Sequence, residues 1–237
     1  MASGFRFKQF SIEQEHSAMK VGTDGVLLGA WASLDQKDGR ILDIGCGTGL
    51  LCLMAAQRTT HYGSHIVGVE IDPESMLDAE SNVACSQWKE RIELHNLPIQ
   101  EFHSEESFDH IISNPPYFVN SLTSPDRART TARHTSSLPF EVLTNVASKL
   151  LAANGRLSLI LPFGALADIT LAAVRSGLFL RRRTDVSSKE RSAPLRVLLE
   201  FGHTPTTTIH TTLAIHTTDG DFTDDYKNLT KEFYLKF

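Results

Sequence analysis

The sequence predicts an α/β fold: a doubly wound, mostly parallel sheet of seven strands, closed by an antiparallel strand and preceded by a short N-terminal extension. Three observations carry this. From Ile41 onward, short apolar runs alternate with helical stretches, the order of strand–helix units in a parallel sheet. The first run, residues 41–44, leads into Gly45-Cys46-Gly47-Thr48-Gly49, a glycine turn feeding an apolar helix. A later run, residues 108–113, meets two consecutive prolines, Pro115 and Pro116, through which neither strand nor helix continues.

The elements follow in order. Residues 5–10 alternate Phe with polar residues and read as a short strand with one buried face. Thr23 or Asp24 suits the N-cap of an apolar helix over 25–31. After a strand at 66–70, Asp72-Pro73 opens a helix with proline at its first position, running to about Gln87. Residues 91–95 form a short strand. An amphipathic helix over 140–153 is ended by Asn154-Gly155, and residues 156–162 return as a buried strand. A helix over 166–176 stops at Gly177. Residues 178–186 and 195–201 form an antiparallel closing pair, with Lys189 and Arg191 on the turn between them. The threonine-rich stretch 204–218 is an edge strand, and 226–235 a terminal helix.

A chain of 237 residues, 41% hydrophobic, buries an ample core. The organisation expected is a single domain over 1–237, with 1–35 as the N-terminal strand and helix and 36–237 as the core. No apolar run reaches the roughly 18 residues that a membrane helix needs, and the first residues lack the apolar stretch of a secretory signal. Three cysteines, Cys46, Cys52 and Cys85, with no C-x-x-C pair, suit a reducing cytoplasm. His61 and His65 have a zinc-like interval but no second ligand pair, so a solvated loop is expected there and no metal. The net charge of −5 disfavours a generally sticky nucleic-acid binder. Residues 120–200, however, hold 12 Lys+Arg against 6 Asp+Glu, while the remainder holds 11 against 22. A local basic surface follows.

The chemistry sits at two turns. The glycine spacing is G-x-G-x-G rather than the dinucleotide G-x-G-x-x-G, and it lets a ligand lie on bare backbone at a helix N-terminus. Glu70 ends the next strand, placed for two hydrogen bonds from a ribose diol. At the second turn, the Asn114 side chain and the Pro115 carbonyl are acceptors at the carboxyl end of a strand, where open parallel sheets bind ligands. Tyr117 follows as a flat face. Two acceptors beside an aromatic plate suit a planar group carrying an NH2.

With Asp43-Ile44-Gly45-Cys46-Gly47-Thr48-Gly49, Glu70 and Asn114-Pro115-Pro116-Tyr117 in this order, the chain resembles the class I S-adenosylmethionine-dependent methyltransferases. Residues 19–31, from Met19 to Trp31, resemble more specifically the bacterial tRNA(Val) adenine-37 N6-methyltransferases, and the likeness covers almost the whole chain. The resemblance implies a Rossmann-like core, S-adenosylmethionine as cofactor, and a tRNA anticodon loop as partner; no obligate protein partner is inferred, and the cytoplasm is the expected location. It implies catalysis by Asn114, Pro115 and Tyr117, and cofactor contacts from Asp43, Gly45, Gly47, Gly49, Glu70, Asn96 and Asn114. Thr23 and Asp24 either cap their helix or join those contacts. The family usually places an Asp on the cofactor's adenine where this chain has Pro98, so either Asn96 or a backbone group takes that part or the cofactor is held more weakly. For RNA, Phe118 stands beside the turn, Arg127, Arg129 and Arg133 follow with His134 on a long polar loop, and Lys189 and Arg191 lie farther on. Alternatives are the glutamine amides of release factors, which call for a long N-terminal helical domain, and guanine N2 of ribosomal RNA, which more often goes with Phe at position 117. A non-catalytic RNA-binding module is disfavoured by intact Asp43, Glu70 and Asn114.

Overall fold

A computed structural model describes residues 4–34, 39–115 and 138–236. The chain opens with a two-residue antiparallel pair, β1 (Phe5–Arg6) and β2 (Ser11–Ile12), followed by α1 (Thr23–Trp31). Then come β3 (Arg40–Ile44), α2 (Leu50–Arg58), β4 (His65–Glu70), α3 (Pro73–Ala84), β5 (Ile92–Asn96) and β6 (Phe108–Ser113). The second half contributes α4 (Phe140–Leu150), β7 (Leu151–Pro162), α5 (Leu166–Arg175), β8 (Phe179–Lys189), β9 (Pro194–Gly202), β10 (Ile209–His216) and α6 (Asp224–Thr230). The main sheet has the order β10-β8-β9-β7-β6-β3-β4-β5. Only β9 runs antiparallel to its neighbours, β7 and β8. The seven strands read from the core sequence are there, and the threonine-rich edge strand makes an eighth.

Both faces of the sheet are covered, which explains why its strands read as continuous apolar runs rather than alternating ones. Successive side chains go to opposite faces. Ile41, Ile66, Ile92 and Ile112 meet Val26 and Leu28 of α1, Leu53 and Met54 of α2, and Met76 of α3. Their neighbours Leu42, Val67 and Ile111 meet Leu143 of α4 and Ile169 of α5.

Several boundaries differ from the sequence expectation. The N-terminal run is not one strand: only two residues pair on each side, while Phe7, Phe10 and Ile12 turn into the core. The N-cap of α1 is Gly22, not Thr23 or Asp24. Helix α4 ends at Leu150, because β7 takes up Leu151–Pro162. Gly155 is therefore no helix stop. A Cβ on it would stand 2.9 Å from the Phe108 carbonyl oxygen, so glycine allows the close approach of β7 to β6. Gly177, at φ 75°, does end α5 as the sequence indicates. Asp72 caps α3, accepting from the Ser75 amide at 3.1 Å ahead of Pro73.

The N-terminal segment is stapled to α3. The Ser17 amide and hydroxyl both donate to Asp78 Oδ2 at 2.7 Å, and the Glu13 amide donates to Asn82 Oδ1 at 2.7 Å. Burial alone would raise the Asp78 carboxyl, but these Ser17 bonds bring it below its ordinary value. Helix α1 is held at its far end. The Arg58 guanidinium donates to the carbonyls of Gly29, Ala30 and Ala32, and Trp31 Nε1 donates to Thr184 Oγ1 at 2.9 Å. The Arg182 guanidinium lies 3.6 Å from the centre of the Trp31 ring.

Candidate active site

Strand register brings the chemistry to one edge. Asp43 pairs with Ile112 and with Gly68, Ile44 with Val69, and Glu70 with Asn96. The carboxyl ends of β3, β4, β5 and β6 thus lie side by side. The strand order reverses between β3 and β6, leaving a crevice where ligands bind in such sheets.

The glycine loop forms the crevice floor. Gly45 and Gly47 adopt φ of 74° and 54°, a region closed to most side chains, and a Cβ on either would project into open space. The Gly45 amide donates to the Val69 carbonyl at 2.8 Å, and Gly49 donates to Cys46 at 2.8 Å, fixing the turn. Glu70, 9% exposed, is held by the Gly47 amide on Oε2 at 2.8 Å and the Asp72 amide on Oε1 at 2.9 Å. Each carboxylate oxygen keeps a further lone pair for a hydroxyl. Asn96 Nδ2 donates to the Glu70 carbonyl at 2.8 Å, which commits its NH2 end to the protein and leaves its carbonyl oxygen as an acceptor.

Asp43 lies fully buried beneath the loop. The Cys52 thiol donates to Oδ2 at 3.4 Å, and Oδ1 has no partner among the described residues. Burial pushes its carboxyl up from 3.8 to about 7, and the Glu70 charge adds to the rise. A bare-backbone cradle, an orphaned buried carboxylate oxygen and a pre-set acidic residue on the neighbouring strand fit S-adenosylmethionine, which carries a sulfonium, an amino-acid ammonium and a ribose diol. Ile71, next after Glu70, presents an exposed aliphatic face at the same edge.

Across the crevice, Asn114 is half-buried and Pro115 buried at the end of β6. The Ser113 hydroxyl donates to the Ile44 carbonyl at 2.7 Å, strapping this turn to the strand that carries the glycine loop. Sequence reasoning missed Ser113, although a lone hydroxyl ending an apolar strand was its signal. From the other side comes α1: a Cβ on Gly25 would stand 3.9 Å from Asn114 Nδ2 and 2.9 Å from Leu50 Cδ2. Asp24 is taken by Arg196 of β9, whose Nε donates to Oδ2 at 2.7 Å, a partnership that sequence reasoning also missed. Thr23 is exposed in the first turn of α1. Pro98 precedes a short 3₁₀ turn at Ile99–Glu101 and offers neither donor nor acceptor from its side chain. Pro116, Tyr117, Phe118, Arg127, Arg129, Arg133 and His134 lie outside the described residues.

The basic excess of residues 120–200 is partly consumed inside. Arg156 and Arg182 pair with buried Glu200 at 3.7 and 3.4 Å, and Arg183 pairs with Asp185 at 2.6 Å. Lys189 and Arg191 are exposed at the β8–β9 tip, on the same edge as Asn114. Arg191 adopts φ 61°, unusual for a residue with a Cβ. Among the described residues, no cluster of three or more His, Cys, Asp or Glu is arranged to hold a metal.

A doubly wound sheet with this glycine cradle, this acidic residue on the next strand and this Asn-Pro turn defines a class I S-adenosylmethionine-dependent methyltransferase. The family model described as a methyltransferase domain matches residues 35–177. A tRNA1(Val) (adenine(37)-N6)-methyltransferase from Phocaeicola vulgatus is 45% identical over 231 residues, covering 98% of this chain and 97% of that one. The protein of the same name from Haemophilus influenzae is 43% identical over 237 residues, covering 99% and 100%. In fold, the chain is similar to a predicted O-methyltransferase from Agrobacterium tumefaciens, with a TM-score of 0.68 at 22% identity over 89% of this chain and 96% of that one. The chain belongs to the tRNA1(Val) (adenine(37)-N6)-methyltransferase family.

Proposed function

We propose that this protein methylates N6 of adenine 37, beside the anticodon of a tRNA(Val), in the cytoplasm. The observation that carries the reading is the Asn114–Pro115 turn, strapped through Ser113 to the strand whose loop cradles the cofactor. Near-full-length likeness to enzymes of that name supports the substrate over a release-factor glutamine or a ribosomal guanine.

S-adenosylmethionine supplies a methyl group already activated on a sulfonium, so the chain's task is alignment and electrostatics. Glu70 would accept from the ribose hydroxyls, the Gly45–Gly49 backbone would hold the rest of the cofactor, and Asp43 would offer a buried carboxylate oxygen. Asn96, through its carbonyl oxygen, stands in for the acidic residue absent at Pro98. Adenine N6 is a poor nucleophile because its lone pair is delocalised into the ring. The Asn114 side-chain oxygen and the Pro115 carbonyl accept its two hydrogens, which directs the lone pair outward and stabilises the positive charge that N6 acquires. The proton leaves afterwards, and no dedicated general base is needed. Tyr117 is assigned to stack on the extruded base, with Phe118 beside it. Arg127, Arg129, Arg133, Lys189 and Arg191 are assigned to RNA phosphates.

The test is nucleoside analysis after incubating the protein and labelled S-adenosylmethionine with total unmodified tRNA. N6-methyladenosine from a valine tRNA is the result expected; label in guanosine, or only in protein, overturns the reading.

A further inference from the structure

Strands β3 and β6 carry the two halves of the site, and they separate early. Their ladder stops at the pair Asp43 and Ile112. On its other side, β3 stays paired with β4 as far as Ile44, opposite Val69. Likewise β6 stays paired with β7 as far as Ser113, opposite Leu159. The seam between β3 and β6 thus opens one residue before either strand leaves its outer neighbour, and the crevice begins there. Beyond the opening the glycine loop leans toward β4, because the Gly45 and Cys46 amides both donate to the Val69 carbonyl, at 2.8 and 3.1 Å.

Ser113 spans the seam at this point. Its hydroxyl donates to the Ile44 carbonyl at 2.7 Å, a side-chain bond where the backbone ladder has ended. Ser113 is fully buried and Ile44 nearly so, which keeps water from competing for the bond. At the opposite end of the same seam the Arg40 amide donates to Asp109 Oδ2 at 3.0 Å. Ile44 leads directly into Gly45, and Ser113 directly into Asn114. The bond therefore joins the residue before the glycine loop to the residue before the acceptor turn. Transfer between two held reactants needs the reacting atoms about 3–3.5 Å apart and in line, and misplacement by about 1 Å costs roughly 100-fold. The glycine loop would hold the methyl donor and the Asn114–Pro115 turn would hold N6, so the width of the seam enters that separation directly.

We propose that Ser113 is a positioning residue for methyl transfer, its hydroxyl setting the spacing between the glycine loop and the acceptor turn. The proposal rests on the RNA-methylating function above and adds to it the device that fixes the gap between the two reactants.

The experiment uses the full chain, unmodified tRNA1(Val) transcript and labelled S-adenosylmethionine, with Ser113→Ala, Ser113→Thr and Ser158→Ala. Ser158 is the control: it is equally buried, on the neighbouring β7, and its hydroxyl lies 2.9 Å from His110 Nε2, inside the sheet rather than across the opening of the seam. Each alanine variant loses one buried hydrogen bond, so thermal melting should show similar losses of stability. At a temperature where all are folded, Ser113→Ala should lower kcat roughly 10- to 100-fold, with KM for tRNA and cofactor affinity within about twofold of the parent. Ser158→Ala should keep the parental kcat. Ser113→Thr retains the hydroxyl and should recover most of the lost rate; if its extra methyl prevents folding, the two alanine variants decide alone. Should Ser113→Ala not fold, Ser113→Cys, which keeps the shape but donates weakly, reads the same loss. Parental kcat in folded Ser113→Ala, equal falls in the two alanine variants, a folded Ser113→Thr as slow as Ser113→Ala, or a loss explained by weaker binding of tRNA or cofactor overturns the proposal. Failure of the parent protein to methylate RNA at all overturns the function instead, so the two outcomes are distinct.

Discussion

Glu70 joins the two halves of the proposed cofactor cradle, since its carboxylate oxygens hold the Gly47 and Asp72 amides and its backbone carbonyl holds Asn96. Glu70→Ala should weaken S-adenosylmethionine binding by about 1.5–3 kcal/mol, the usual loss for charged hydrogen bonds, as calorimetry on the folded variant will show. Unchanged affinity contradicts the placement. Asp43 makes a claim of opposite sign for stability. Its folded-state value is raised from 3.8 to about 7, so its contribution is fully present below about pH 4 and is lost as pH rises toward 7. Asp43→Asn should therefore gain thermal stability over the parent at pH 8 and show little advantage at pH 4, while binding the cofactor less well. A variant less stable than the parent at pH 8 contradicts this. The places of both residues at the sheet edge were legible in the sequence, because Gly-rich turns and carboxylates near strand ends are local signals; their cofactor contacts are proposals. The Asp24–Arg196 pair was not: its partners are 172 positions apart, and nothing near Asp24 announces the second.

Helix α1 is the element on which the site depends, because it reaches Asn114 at one end and packs on α2 along its length. Gly29 permits that packing: a Cβ there would meet Met54 Sδ at 2.5 Å and Cε at 2.7 Å. Overpacking costs about 1–3 kcal/mol, offset by roughly 1 kcal/mol of helix propensity. Gly29→Ala should thus be net destabilising in urea titrations, whereas Gly164→Ala, with nothing within 4 Å of its Cβ, should be near neutral. Equal midpoints for the two would remove the packing argument. Element by element, runs bounded by strong punctuation were read correctly; β6 and the Gly177 stop are examples. The end of α4 was misread because Asn154-Gly155 looks like a helix cap locally, while pairing with β6 draws Leu151 onward into a strand. The 5–10 run failed for the same reason: its phenylalanines are set by the core they enter, not by a strand partner.

For the whole molecule, parallel order is what assembles the site, collecting Asp43, Glu70, Asn96 and Asn114 along one edge and Lys189 and Arg191 farther along it. That edge faces RNA in the proposed function although the chain carries a net −5. Replacing Lys189 and Arg191 together by Ala should flatten the log–log salt dependence of tRNA affinity by roughly 1–2, leaving cofactor binding intact; an unchanged slope excludes both from phosphate contact. The sequence order of motifs was enough to foresee this edge, but not how much of the basic segment is neutralised by Glu200 and Asp185 within the sheet, since ion pairing depends on strand register. In the proposed function the Asn114–Pro115 turn presents N6 of adenine 37 to the methyl donor. That role is tested most directly by single-turnover methyl transfer to nucleotide 37 of unmodified tRNA1(Val), comparing the parent with Asn114→Ala at saturating cofactor. A fall of about 100-fold or more, with S-adenosylmethionine affinity retained, is the predicted result. A parental rate in the variant, or a loss explained by failure to bind the cofactor, would contradict the account.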